Sequence, residues 1–232
     1  MNAEESQLIG ASPLVHARVA GLVGVLVLAS GSFAGFVASR LIVREDLAAT
    51  SSKIVASEAL FRLGIAGSLI MMVAWLFYAL LLYRLLRSVD KTSAMAMLGL
   101  VLASVPIYML SQGYLFAAFL AASSQLQEQV ELFLNLHRFG TLVAAIFFGL
   151  WLIPLGYLVF KSGFLPRFLG ALLMVGSLGY LVLFFQAFFL PGTERTLWSN
   201  PFLIVTHLSE LALLLWLLVK GVNVGQWQQQ AV

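Results

Sequence analysis

The side chains available for chemistry in this 232-residue chain are few: ten acids, thirteen bases, three histidines and no cysteine. The missing cysteine removes thiolate catalysis and disulfides. Among the acids Glu210 is the most unusual, because it lies inside an apolar run that ends at Lys220. Ten residues of helix put it about 15 Å from that lysine, close to the midplane of a bilayer. His207 is one turn away on the same helix face. A carboxyl and an imidazole at that depth could anchor the polar end of a ligand or take part in proton exchange. The same carboxyl could instead be neutral, bonded to a serine or tyrosine in a structural role.

Trp75 stands nine residues before Arg84, and Trp151 stands ten before Lys161. The same arithmetic puts both at the depth of Glu210, although tryptophan favours the membrane interface. They read either as walls of a binding space or as ordinary packing. Ser30, Ser104, Ser177 and Tyr180 fall within a turn or two of this layer.

A second layer lies further out. Arg62 and Arg138 reach the outer boundary. Glu58 precedes Arg62 by four residues, the favourable order for a helix ion pair, and such surface pairs contribute little. His137 adjoins Arg138, so the two point about 100° apart. Arg138 with Gln127, Glu131 and Asn135 also forms a solvated stripe. Gln112 and Gln186 sit near the outer ends of their helices. Arg62 and His137 could gate access from outside.

His137, His207 and Glu210 are metal-ligand types. However, His137 lies about 36 Å from the cytoplasmic edge and His207 about 20 Å, so no metal site is expected. No cofactor is implied. Neither G-x-S-x-G, H-E-x-x-H nor a P-loop occurs, so an intramembrane enzyme is the weakest reading.

The elements that must position these groups follow from composition. Apolar residues make up 61% and charged residues 10%, against about 45–50% and 25% in soluble domains. Such a chain must face lipid. The net charge is only +3, and the bases are scattered, so nucleic acid is excluded as a partner. Long apolar runs predict six spans: between Arg18 and Arg40, between Arg62 and Arg84, then 94–122, 139–160, 168–190 and 202–219, the last with one acid. Their continuity excludes an outer-membrane barrel. Turn signals lie at 88–91, 161–167 and Pro191-Gly192. Asn200-Pro201 reads as an N-cap and first helical residue. Ser124 with Gln127 reads as a capping box that starts the fourth helix near Gln125, and residues after Ser52 extend the second helix.

The fold class is therefore all-α, a six-helix transmembrane bundle. The first span is too long for a signal peptide's apolar core and is read as retained. Six spans put both termini on one side. That side holds Arg18, Arg84, Arg87, Lys91, Lys161, Arg167 and Lys220. The other holds Arg40, Arg44, Lys53, Arg62, Arg138 and Arg195, mixed with acids. The bias puts both termini in the cytoplasm. Residues 1–18 then form a cytoplasmic segment, 19–221 the membrane domain and 222–232 a cytoplasmic tail.

Shifting the sequence by 76 residues aligns Leu60-Phe-Arg-Leu-Gly64 with Leu136-His-Arg-Phe-Gly140, and Trp75 with Trp151. This is either a parallel duplicated helix pair or chance similarity of apolar stretches. Several longer strings point to a family. They are Ala17-Arg-Val-Ala-Gly-Leu, Ser57-Glu-Ala-Leu-Phe-Arg-Leu-Gly64, Leu136-His137, Gly156-Tyr-Leu-Val-Phe-Lys-Ser-Gly-Phe-Leu-Pro-Arg-Phe-Leu-Gly170, and Glu210 followed by Leu215-Trp-Leu-Leu-Val-Lys-Gly221. Together they resemble the bacterial six-helix membrane family catalogued as domain of unknown function 4386. The resemblance runs from about Ala17 to Gly221, and the Lys-Ser-Gly-Phe-Leu-Pro-Arg turn is its most specific piece. It implies a multi-pass bacterial membrane protein, and no activity or site residues. Arg138 and Trp151 are less typical of that pattern than His137, which weakens the repeat.

The sequence thus leads to a protein of the bacterial cytoplasmic membrane that binds or moves a small, largely apolar molecule entering from the outer side. Membrane lipids are the other expected partner. Glu210 and His207 are its anchor, Trp75 and Trp151 its walls, and Glu58, Arg62, His137 and Arg138 its outer rim. The alternative is a structural or partner-binding module. The sequence sets no oligomeric state, and Gly21, Gly24 and Gly31 form no clean four-residue association motif.

Overall fold

Helix starts are set by short polar residues whose side chains accept backbone N–H groups left free in a first turn. Ser12 accepts from Val15 N at 3.3 Å, Asp46 from Ala49 N at 2.8 Å and Asp90 from Ser93 N at 2.9 Å. These caps open α1 (Pro13–Leu41), α2 (Leu47–Ala56) and α4 (Lys91–Ser123), while α3 spans Glu58–Leu86. The chain continues through α5 (Gln127–Leu150), α6 (Leu152–Lys161), α7 (Arg167–Phe189), α8 (Pro201–Val219) and α9 (Val224–Ala231). The computed structural model describes residues 12–43, 46–190 and 200–231. The Ser93 amide, above all, holds the Asp90 carboxyl below its ordinary range, and Lys161 adds to the effect from across the turn.

Among the described residues, six helices are long and apolar enough to cross a membrane: α1, α3, α4, α5 with α6, α7 and α8. Their outward faces carry exposed large apolar side chains, such as Leu22, Leu26 and Phe36 on α1 and Phe185, Phe188 and Phe189 on α7. Faces of this size, on helices of this length, suit a lipid environment. The six spans form a ring. In it α1 packs on α3, α3 on α4, α4 on α5 and α6, those two on α7, α7 on α8, and α8 returns to α1.

The core is densest near the end that holds the start of α1. There Leu82, Leu85, Leu86, Met97, Leu155, Leu158 and Leu217 are almost wholly buried. Across this end lies α9, whose Trp227 Nε1 donates to the Leu85 carbonyl at 3.0 Å. At the opposite end α2 docks on α4 and α5, burying Ile54 and donating from Ser51 Oγ to Gln127 Oε1 at 3.0 Å.

Several expectations change in detail. The helix around Ser52 starts earlier, at Leu47, and Ser57 separates it from α3 as an element of its own. The Ser124–Gln127 capping box does not form. Gln125 takes a left-handed backbone with φ 60°, α5 starts at Gln127, and the Gln127 side chain is taken by Ser51. The fourth span runs through Trp151, where α5 passes into α6 with helical dihedrals, φ −66° and ψ −26°, and with the bonds Trp151 N to Phe147 O and Leu155 N to Trp151 O intact. Pro154 perturbs it locally, because it offers no N–H to the Leu150 carbonyl. Asn200 does stand at the N-cap of α8, but its side chain donates instead to the Gly179 carbonyl on α7 at 2.8 Å. Pro191-Gly192, Arg44 and Arg195 lie outside the described residues.

Two close approaches set the geometry around the site. A Cβ on Gly156 would come within 2.6 Å of the Gly170 carbonyl oxygen, so α6 and α7 touch backbone to backbone. A Cβ on Gly21 would come within 2.6 Å of Leu218 N, and one on Gly24 would press on Leu214. These two glycines of α1 are therefore occupied by α8 of the same chain.

Candidate functional site

On α8, Thr206, Ser209, Leu213 and Leu217 are buried. The Thr206 hydroxyl lies against the Gly176 carbonyl of α7, which fixes the rotation of α8 about its axis. Residues a further 100° round the helix then face a gap between α8 and α1. A cavity of about 470 Å³ occupies it, and both His207 and Glu210 line it. The remaining walls come from α1, α3, α5, α6 and α7. The contacts at Gly21 and Gly24 close its lower end. Exposed Leu28 and Ser32 of α1 and His207 and Leu211 of α8 frame the mouth, so the cavity opens sideways toward lipid.

The inner wall is aromatic. Trp75 meets Phe148 at 4.8 Å and Trp151 at 5.3 Å between ring centroids, both edge to face. Tyr78 meets Trp151 at 6.3 Å, and Phe148 meets Tyr180 at 5.8 Å. All five rings line the cavity. Edge-to-face geometry is the favoured arrangement for such rings and locks each against the next.

Glu210 is half-buried in this wall. The Tyr180 hydroxyl donates to its Oε2 at 3.3 Å. Among the described residues, nothing donates to Oε1, and none of the residues lining the cavity is lysine or arginine. His207 Nδ1 lies 2.6 Å from the Leu203 carbonyl. A carbonyl only accepts, so Nδ1 carries the proton and Nε2 is left as the ring's acceptor when the imidazole is neutral. The His207 ring also rests on Tyr180, with centroids 6.2 Å apart.

The structure thus gathers Trp75, Trp151, His207 and Glu210 round one cavity. The other four candidates do not line it. Arg62 pairs with Glu58 at 2.7 Å, with both side chains half exposed. Its guanidinium also lies over the Phe116 and Phe119 rings, at 5.3 and 5.1 Å. His137 Nδ1 donates to the Ser111 carbonyl at 2.9 Å and so ties α5 to α4. Arg138 is exposed on the same stripe as Gln127, Glu131 and Asn135. Among the described residues no three metal-ligating side chains converge.

Sequence reasoning missed Tyr78 and Phe148. The signal was present, because Tyr78 lies three residues from Trp75 and Phe148 three from Trp151, so each shares a helix face with its tryptophan. It also missed Leu28 and Ser32, which no sequence feature marks.

The pattern described as Domain of unknown function (DUF4386) matches residues 19–221. The chain belongs to this family. Every residue that lines the cavity falls within the matched stretch. An uncharacterised protein of Archaeoglobus fulgidus is 36% identical to this DUF4386 chain over 76 residues. That alignment covers 33% of the chain and 43% of the archaeal protein, so the chain spans well under half the length of this curated relative. No solved structure matches the chain.

Proposed function

We propose that this DUF4386 protein binds a small, largely apolar molecule in the cavity between α1 and α8 and passes it to or from the membrane. One observation carries the reading: an aromatic-lined space of about 470 Å³, open at its side, has the Glu210 carboxyl on its wall. A space of this size and lining is typical of small-molecule sites, where many apolar contacts supply affinity and a few polar groups fix orientation. Trp75 and Trp151 supply wall area, and Glu210 with His207 holds the polar end. Glu58, Arg62, His137 and Arg138 have no part in the site on this reading.

We place both termini on the cytoplasmic side of a bacterial inner membrane, because the flanking bases at that end are less offset by acids. The mouth then lies in the outer half of the bilayer, which supports entry from the outer side.

The test is saturable binding of the neutral fluorophore N-phenyl-1-naphthylamine to the protein in lipid nanodiscs, with empty discs as background. The wild-type protein should bind above background. The double variant Ser32→Trp/Leu211→Trp, which plugs an exposed mouth without touching the core, should lose that binding. Equal binding by plugged and open protein would remove the cavity from the function and leave a structural or partner-binding module.

A further inference from the structure

We infer that the molecule this cavity takes is a lipophilic cation, an apolar body built around one positive charge. This rests on the binding role proposed above and names its ligand class. Three features of the cavity point the same way. Its acid, Glu210, keeps Oε1 without a partner among the described residues, while Tyr180 occupies only Oε2. A carboxyl oxygen left open in an apolar medium is costly until something satisfies it. No lysine or arginine among the lining residues supplies a fixed counter-charge; His207, the titratable base among them, gives its Nδ1 to the Leu203 carbonyl and forms no ion pair with Glu210 among the described residues. Finally, five aromatic rings form one continuous wall of the cavity that the acid also lines, and one of them, Tyr180, touches the acid.

Aromatic faces attract cations, and the attraction grows as water is removed. An alcohol or amide could satisfy Oε1 but would gain nothing extra from the rings. An anion would meet both the acid and the negative ring faces. A zwitterionic lipid headgroup would bring its phosphate against Glu210. A desolvated positive charge with apolar substituents meets none of these penalties. The sideways mouth suits it too, because such ions partition into the membrane and reach the opening along it.

The probe is tetraphenylphosphonium, with tetraphenylborate as an anion of the same shape. Binding is measured by equilibrium dialysis against the protein in phosphatidylcholine nanodiscs, with empty discs subtracted. Choline headgroups are in excess there, so saturable binding of the free cation separates it from a headgroup ligand. Wild-type protein should retain the cation at least about tenfold more tightly than the anion. Glu210→Gln should cut the ratio of cation affinity to N-phenyl-1-naphthylamine affinity by about tenfold, and Glu210→Asp should largely restore it. If the neutral fluorophore binds but cation and anion bind alike, or if Glu210→Gln leaves the ratio unchanged, the cation assignment is overturned and the apolar cavity stands. If neither the cation nor the neutral fluorophore binds above background, both readings fall. Each variant is first shown to elute and melt as the wild type does.

Discussion

Glu210 and Tyr180 decide the site at the scale of single residues. Their bond joins α8 to α7 at 3.3 Å. Side-chain hydrogen bonds inside membrane proteins contribute about 0.6 kcal/mol on average and rarely much above 1.7. A packing role for Glu210 is therefore worth little, and a binding role should show as a loss out of proportion to stability. Glu210→Gln should weaken tetraphenylphosphonium binding about tenfold, while stability in detergent changes by no more than about 1 kcal/mol. Tyr180→Phe, which removes the donor to Oε2 and keeps the ring, should show the same small stability cost. A Glu210→Gln protein that is destabilised yet binds fully would assign the acid to packing alone. At this scale much was legible. Depth counting along a helix grouped Glu210, His207, Trp75 and Trp151, which line one cavity, because a rise per residue converts sequence position into relative depth. It also grouped Arg62 and His137 as one rim. The structure instead engages Arg62 with Glu58 and two phenylalanines on the α3–α4 side, and His137 with Ser111 between α4 and α5. Depth says nothing of azimuth, so residues at one level can belong to different faces of the ring.

Among elements, the approach of α6 to α7 is the most constrained contact. A methyl group on Gly156 would meet a backbone carbonyl at 2.6 Å, and backbone cannot rotate away as a side chain can. Gly156→Ala should therefore cost about 1–3 kcal/mol, the usual range for forced overpacking. Gly99 on α4 is the control, since a Cβ there meets nothing within 4 Å. Gly99→Ala should be neutral or stabilise by up to about 1 kcal/mol, through helix propensity alone. Unfolding of both variants in the same detergent checks the difference. Similar effects at the two glycines would contradict the close packing of α6 on α7. All six spans could be read from apolar run length, because lipid imposes that length. The local perturbation where α5 passes into α6 at Trp151 was less accessible. Pro154 is its sequence signal, yet Pro106 lies inside α4 without ending it. A membrane helix tolerates proline where neighbours compensate, so the residue alone does not announce a perturbation. The separate helix α2 was hidden for a different reason: it is short and partly polar, and its place depends on docking to α4 and α5.

For the whole molecule, the ring of spans leaves α1 and α8 in contact at one end and separated by the cavity at the other. Topology then decides which leaflet the mouth faces. The chain has no cysteine, so single-cysteine variants report directly. With a membrane-impermeant maleimide on intact cells, Ser124→Cys at the α4–α5 turn should label. Ser88→Cys at the α3–α4 turn should label only after permeabilisation. The reverse pattern would put the mouth toward the cytoplasm and overturn entry from outside. Composition already settled the membrane class, since the apolar excess has no other place to go. The existence of a cavity was not legible, because it depends on how far two helices splay rather than on which residues they carry.

The most direct test of the central claim is a structure of the protein determined from lipid rather than detergent, inspected for density between α1 and α8. Elongated density is expected in the aromatic-lined space, ending within hydrogen-bond reach of Glu210 Oε1. An empty, collapsed gap, with α1 packed on α8 along His207 and Leu211, would contradict it.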